Sequence, residues 1–270
     1  RGPKRKTRTV LAEAAENAYS AAAEAHKRGS GLTGLTWGLT DVNRLTGGIQ
    51  KRDLTLIAAR PSMGKTTVGL NVARRAASAG CGIGFISLEM DSDKLAARAI
   101  SDLAYDWGLI VPYADIIRGS VDDDAIDGLR SASRSIDQIP LWIEDQSGLS
   151  MTDIRVKAEA MMQAADKAGH PLQALFVDHL GLIRPSSRYQ GNRVNEVAEI
   201  SAGLKSIARE YGIAVVALSQ LSRALESRND KRPMMSDLRD SGAIEQDADT
   251  IVFLFREAYY LEREKGGSAD

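Results

Sequence analysis

A single cysteine, Cys81, stands among the 270 residues, so no disulfide can form within the chain. The three histidines, His26, His170 and His179, are scattered, and beside one thiol they offer no zinc-like ligand spacing. No apolar run approaches the ~18 residues of a membrane-spanning helix, and no signal-peptide pattern opens the chain. These absences point to the cytoplasm and away from a membrane partner. Net charge is also missing: 35 Lys+Arg against 36 Asp+Glu leave −1, so any basic surface for nucleic acid must be local. The first residue is Arg1 rather than Met, which reads as a piece of a longer chain.

What is present is ordinary globular material, 43% hydrophobic and 26% charged, enough for one large domain or two small ones. Residues 1–29 read as a basic tail followed by a helix, and 30–270 as an α/β domain. The tail carries Arg1, Lys4, Arg5, Lys6 and Arg8 without an acid, a pattern typical of a solvated end. From Val10 to Lys27 the periodicity is helical. Leu11, Ala14, Ala15, Ala18, Ala22 and Ala25 share a face of small residues that could approach either its own domain or a neighbouring subunit. Beyond it, apolar strand candidates (54–59, 82–88, 141–144, 174–177, 213–218 and 250–255) alternate with helical segments (64–79, 92–107, 122–135, 151–168, 193–211 and 243–248). Such alternation predicts a largely parallel sheet covered on both faces, with ligands beyond the carboxyl ends of its strands.

One loop organises this domain. The run Leu54–Ile57 leads through Ala58-Ala59-Arg60-Pro61-Ser62-Met63-Gly64-Lys65-Thr66-Thr67 into a helical pattern, the context that a phosphate-binding P-loop requires. Arg60, Ser62, Met63, Gly64, Lys65, Thr66 and Thr67 are the candidate nucleotide-binding residues. Backbone N–H groups and the helix start would wrap the phosphates, Lys65 would add a point charge, and Thr66 would offer its hydroxyl to Mg2+. Ala59 stands where the usual pattern has its first Gly, which is acceptable if its φ is negative.

Polar residues at other strand ends complete a candidate site. Asp178 closes the run Ala174–Val177 and suits the carboxylate that holds the Mg2+ water shell. Glu89 follows the 82–88 strand and is placed to orient the attacking water or accept its proton, although Glu89 or Asp91 could instead cap the next helix. Gln220 follows the 213–218 strand as a neutral amide able to donate to a γ-phosphate. Two loops carry local positive charge: Ile183 to Arg193, with Arg184, Arg188, Arg193 and Tyr189, and Arg223 to Arg239, before Asp240-Ser241-Gly242. Either could track a phosphodiester backbone, or be a charged solvated loop.

The segments LTGLTWGLTDVNRLTGGIQKRDLTLIAARPSMGKTT, FISLEM, FVDHLGLI, ALSQLSR and DKRPMMSDLRDSGAIEQDADTIVFLFR together closely resemble the C-terminal motor domain of DnaB-family replicative helicases, from about Leu32 to Tyr260. The resemblance implies a RecA-like fold, a hexameric ring, ATP hydrolysis at subunit interfaces and movement along single-stranded DNA. It also implies primase and a helicase loader as partners of the full-length protein. By it, Lys65 and Thr66 are the P-loop pair, Glu89 the catalytic glutamate, Asp178 the Mg2+-associated aspartate and Gln220 the γ-phosphate sensor. Arg239, Asp240 and Gly242 fall on the loop that grips DNA, and the 10–27 helix on a linker that docks on the adjacent subunit. A non-unwinding recombinase-like protein or a scaffold would share this fold and nucleotide site. His179 departs from the Tyr usual after the aspartate, which is expected to alter packing rather than chemistry. The family's helical N-terminal domain and its late Lys-x-Arg pair have no counterpart in the sequence, so no trans-acting arginine is assigned.

Overall fold

The computed structural model describes residues 8–27, 29, 31–189, 191–238 and 242–266, with side chains as far as Glu262. Arg1, Lys4, Arg5 and Lys6 of the tail, and Arg239 and Asp240 of the expected DNA loop, lie outside the described residues. Six strands make one sheet: β1 (Leu54–Ala59), β2 (Gly82–Ser87), β3 (Leu141–Glu144), β4 (Leu172–Asp178), β5 (Ala214–Gln220) and β6 (Thr250–Phe253). Their order is β3-β2-β4-β5-β1-β6, and every pairing is parallel.

The strand sequences explain why helices must cover both faces. Along β1, β4 and β5, Leu56, Ala58, Leu175, Val177, Val215 and Ala217 enter one core, while Ile57, Ala174, Phe176, Val216 and Leu218 enter the other. Alternating apolar side chains therefore leave no face for water. The first face is closed by α7 (Met151–Lys167) and α8 (Arg193–Tyr211), through Ile154, Ala158, Ile200, Leu204 and Ile207. The second is closed by α3 (Lys65–Ser78) and α4 (Ser92–Asp106), through Leu70, Ala73, Ala76, Leu95 and Ala99. A satellite cluster of Leu103, Val111, Ala125, Leu129 and Ala132 ties α4 to α5 (Tyr113–Arg118) and α6 (Asp123–Ile136).

The remaining helices are α1 (Leu11–Lys27), α2 (Thr40–Thr46), α9 (Gly242–Asp247) and α10 (Glu257–Gly266). The Gly- and Thr-rich stretch before β1 hides α2, whose seven residues are too few to show a period. Two strands keep the expected bounds, and the other four shift by one or two residues at one or both ends. One shift matters, since Asp178 is the last residue of β4 rather than the first beyond it, and is fully buried. In α1 the small-residue face lies open: of Leu11 to Lys27 only Ala25 is buried, and Leu11 is 86% exposed. Among the described residues no helix is long and apolar enough to cross a membrane.

Candidate functional site

The parallel registers align the strand ends. Ser87 pairs with Asp178 and Ala59 with Gln220, so β2, β4, β5 and β1 release Glu89, Asp178, Gln220 and the P-loop side by side along one edge. Ala59 itself is extended strand, which is why a residue with a Cβ fits the place of the usual Gly. The left-handed turns fall further on, at Ser62 (φ 66°) and Gly64 (φ 88°). Met63 between them is buried and pins the loop to the core. Gly64 is the N-cap of α3 and provides no side-chain cap, so the helix start keeps its amides for an anion.

Directly inside the loop, Lys65, Thr66 and Asp178 form a tight knot. Thr66 Oγ1 donates to Asp178 Oδ2 at 2.5 Å. Lys65 Nζ lies 3.0 Å from Asp178 Oδ1, close enough for a charge contact, but Oδ1 receives no aligned hydrogen bond. Burial pulls the Lys65 pKa below the usual lysine range, while Asp178 and then Glu89 pull it back up. An unsatisfied oxygen on a fully buried carboxylate beside a hydroxyl suits a hard cation, so these residues fit Mg2+.

The Glu89 carboxylate takes no part in capping the helix that follows it. The amide of Ser92 that opens α4 donates to Asp145 Oδ2 at 2.7 Å, a hydrogen bond that lowers the Asp145 pKa. Asp91 is the N-cap by position but makes no cap hydrogen bond, its carboxylate engaging Lys94 at 3.0 Å. Capping of α4 by either residue, the alternative left open by the sequence, is therefore not what is found. The Glu89 carboxylate is 57% exposed, with His179 Nε2 3.8 Å away. Burial, then the Lys65 charge, lowers the His179 pKa, so the imidazole is neutral at neutral pH.

A cavity of about 540 Å3 is lined by Arg60, Ser62, Gly64, Lys65, Thr66, Thr67, Glu89 and Gln220, the expected nucleotide residues except Met63, whose side chain is buried. Two arginines that the sequence left unassigned also line it, Arg98 and Arg256. Arg98 Nη1 donates to Thr67 Oγ1 at 2.9 Å. In sequence it is one base on a helix face, and only the packing of α4 against α3 turns it towards the loop. Arg60 lines the cavity, but its guanidinium points elsewhere: it donates to Leu221 O at 2.9 Å and to Glu226 at 2.6 Å. The first P-loop side chain is thus tied to the segment after the Gln220 strand end rather than free for phosphate.

Gln220 also lines a second cavity of about 370 Å3 with His179, Ser222, Arg193 and Arg223. Arg188 is exposed and lies over the Tyr189 ring at 5.1 Å, outside both cavities. Gly242 is the first residue of α9 rather than part of an open turn. Asp237, an acid that could have clamped Arg239, is buried and taken by Arg228 at 2.8 Å and 3.1 Å.

A Gly-Lys-Thr loop on a helix start, with a buried aspartate and an exposed glutamate on adjacent parallel strands, defines a P-loop nucleotide-binding domain. The model of the family "DnaB-like helicase C terminal domain" matches residues 34–270, and the chain belongs to that family. It is 39% identical to replicative DNA helicase DnaB of Rickettsia bellii (strain RML369-C), over 100% of this chain and 54% of that protein. It is 43% identical to replicative DNA helicase DnaB of Haemophilus influenzae, over 86% of this chain and 48% of that protein. A solved structure of a DnaB-like replicative helicase and its interactions with primase superposes with TM-score 0.81 and 35% identity, covering 94% of this chain and 59% of that one. A second solved structure, of an isolated ATPase domain, superposes with TM-score 0.82 and 34% identity, covering 94% of this chain and 86% of that one. The fold is accordingly RecA-like, and the chain spans about half the length of the curated relatives it matches.

Proposed function

We propose that this chain is the motor domain of a replicative DNA helicase, hydrolysing ATP with Mg2+ while moving along single-stranded DNA within a hexameric ring. The observation that carries the reading is the alignment of Glu89, Asp178, Gln220 and the P-loop along one sheet edge, with Glu89, Gln220 and the P-loop lining one cavity and Asp178 buried behind Lys65 and Thr66. In this reading Lys65 exchanges Asp178 for the β- and γ-phosphate oxygens, and the α3 amides hold the rest of the triphosphate. Thr66 and Asp178 hold Mg2+, which neutralises charge on the phosphate oxygens. Glu89 orients a water and takes its proton as the water oxygen bonds to the γ-phosphorus and the bond to the β-phosphate oxygen breaks. Gln220 donates to the γ-phosphate and loses that partner on hydrolysis.

From Gln220 the change has a short path outward. Leu221 O is held by Arg60, Ser222 N–H donates to Asp237 O at 2.9 Å, and Arg223 opens the basic loop that ends at Arg239. Loss of the γ-phosphate would so reach the loop that grips DNA, with Arg188, Arg239, Asp240 and Gly242 as the backbone-contacting set. The open Ala face of α1 supports docking on an adjacent subunit, and primase and a loader are partners of the longer protein.

The test is ATP turnover with and without a single-stranded oligonucleotide. Turnover should rise several-fold with DNA in the parent chain. Lys65→Ala, losing a charged partner of the triphosphate, should bind ATP about 10- to 100-fold more weakly. Turnover indifferent to DNA would remove the motor reading. Strand displacement on a forked duplex by the full-length protein separates a helicase from a recombinase-like or scaffold ATPase.

A further inference from the structure

The imidazole of His179 lines the second cavity and lies 3.8 Å from the carboxylate of Glu89, which lines the nucleotide cavity. Its Nδ1 accepts the Gly181 N–H at 3.2 Å, so in the neutral ring the proton resides on Nε2. Gly181 gives the ring room: a Cβ there would lie 3.0 Å from both His179 Nδ1 and Cε1, and the ring would have to shift by a few tenths of an ångström. The ring side chain is 11% exposed, whereas the Glu89 carboxylate opposite is 57% exposed. Among the described residues, His179 is the one basic side chain within 4.0 Å of that carboxylate. A fixed donor thus faces a loosely held acceptor.

We propose that His179 is a positioning residue whose Nε2–H holds the Glu89 carboxylate against the attacking water. This rests on the reading of Glu89 as the group that handles that water. The separation of 3.8 Å is long for a hydrogen bond, and catalytic contacts of this kind tighten when the reacting complex forms. Without the donor, Glu89 would sample its exposed volume, and a displacement of about 1 Å is enough to slow a reaction by up to ~10²-fold. The departure at residue 179 then bears on chemistry, which revises the expectation that it alters packing alone.

Steady-state ATP turnover of His179→Phe, His179→Gln and Glu89→Gln, measured beside the parent chain, tests the proposal. His179→Phe keeps a planar ring without a donor, and its kcat should fall about tenfold with the KM for ATP nearly unchanged. His179→Gln keeps an N–H donor and should recover most of that loss. His179→Leu, also without a donor, carries the same expectation as phenylalanine and covers the case in which the latter does not fold. A merely structural role would treat glutamine and phenylalanine alike. Equal loss in both, or an unchanged kcat in the donor-free variants, overturns the proposal. If Glu89→Gln is slow while His179→Phe is not, the proposal alone falls; if Glu89→Gln matches the parent, the reading of Glu89 falls and takes the proposal with it.

Discussion

The contact between Lys65 and Asp178 shows how one residue can be ready for a ligand before it arrives. A buried ammonium is costly, and the carboxylate opposite offsets that cost while leaving its own Oδ1 without an aligned donor. A triphosphate offers Lys65 a stronger partner, so the exchange needs little rearrangement of the loop. Positions of this kind were legible in the sequence wherever a short motif fixes the local geometry, as at Lys65, Thr66 and Gly64. They were not legible for Arg60, Arg98 and Arg256, whose directions depend on which distant segment packs beside them. Arg239 is the residue whose proposed role is most open to a direct test. Of the two acids that could pair with it locally, Asp237 already serves Arg228, and Asp240 lies outside the described residues. Arg239→Ala should weaken single-stranded DNA binding alike for poly-pyrimidine and mixed sequences. It should also make the slope of log K against log salt shallower by about 0.7, the value for one lost single-strand phosphate contact. A lower melting temperature with an unchanged slope would mark a structural clamp instead.

At the scale of elements, the strands were the easiest to read, because four to seven apolar residues bounded by polar ones leave few alternatives. The candidate site residues Glu89, Asp178 and Gln220 lie at or just beyond their carboxyl ends. The short helices α2 and α5 escaped notice, although the equally short 243–248 segment was expected and is α9. The helix α1 was legible as a helix, but its partner was not, since an alanine face matches many surfaces. Within the chain that face remains open, and only Ala25 is buried. Removing residues 1–28 should therefore leave the ATPase fold intact and weaken self-association. Sedimentation at matched concentration would show a shift to smaller species. Identical sedimentation of the shortened and parent chains would mean that α1 does not join subunits.

For the whole molecule, the sheet order matters more than any single strand. Placing β4 between β2 and β5, with β1 beyond, sets the Glu89 and Asp178 carboxylates, the Gln220 amide and the Gly-Lys-Thr loop in one row. The alternation of helices and strands predicted a parallel sheet, yet this order follows from crossover packing and could not be counted off the sequence. The second cavity shares Gln220 with the first. The central claim is that this row both binds and splits ATP, with the two tasks on different residues. Paired measurement of ATP affinity and turnover in Glu89→Gln tests it most directly. The expected result is near-parental affinity with turnover lowered by about 10²-fold or more, as for a lost proton acceptor. Weakened affinity with unchanged turnover per bound ATP would contradict it.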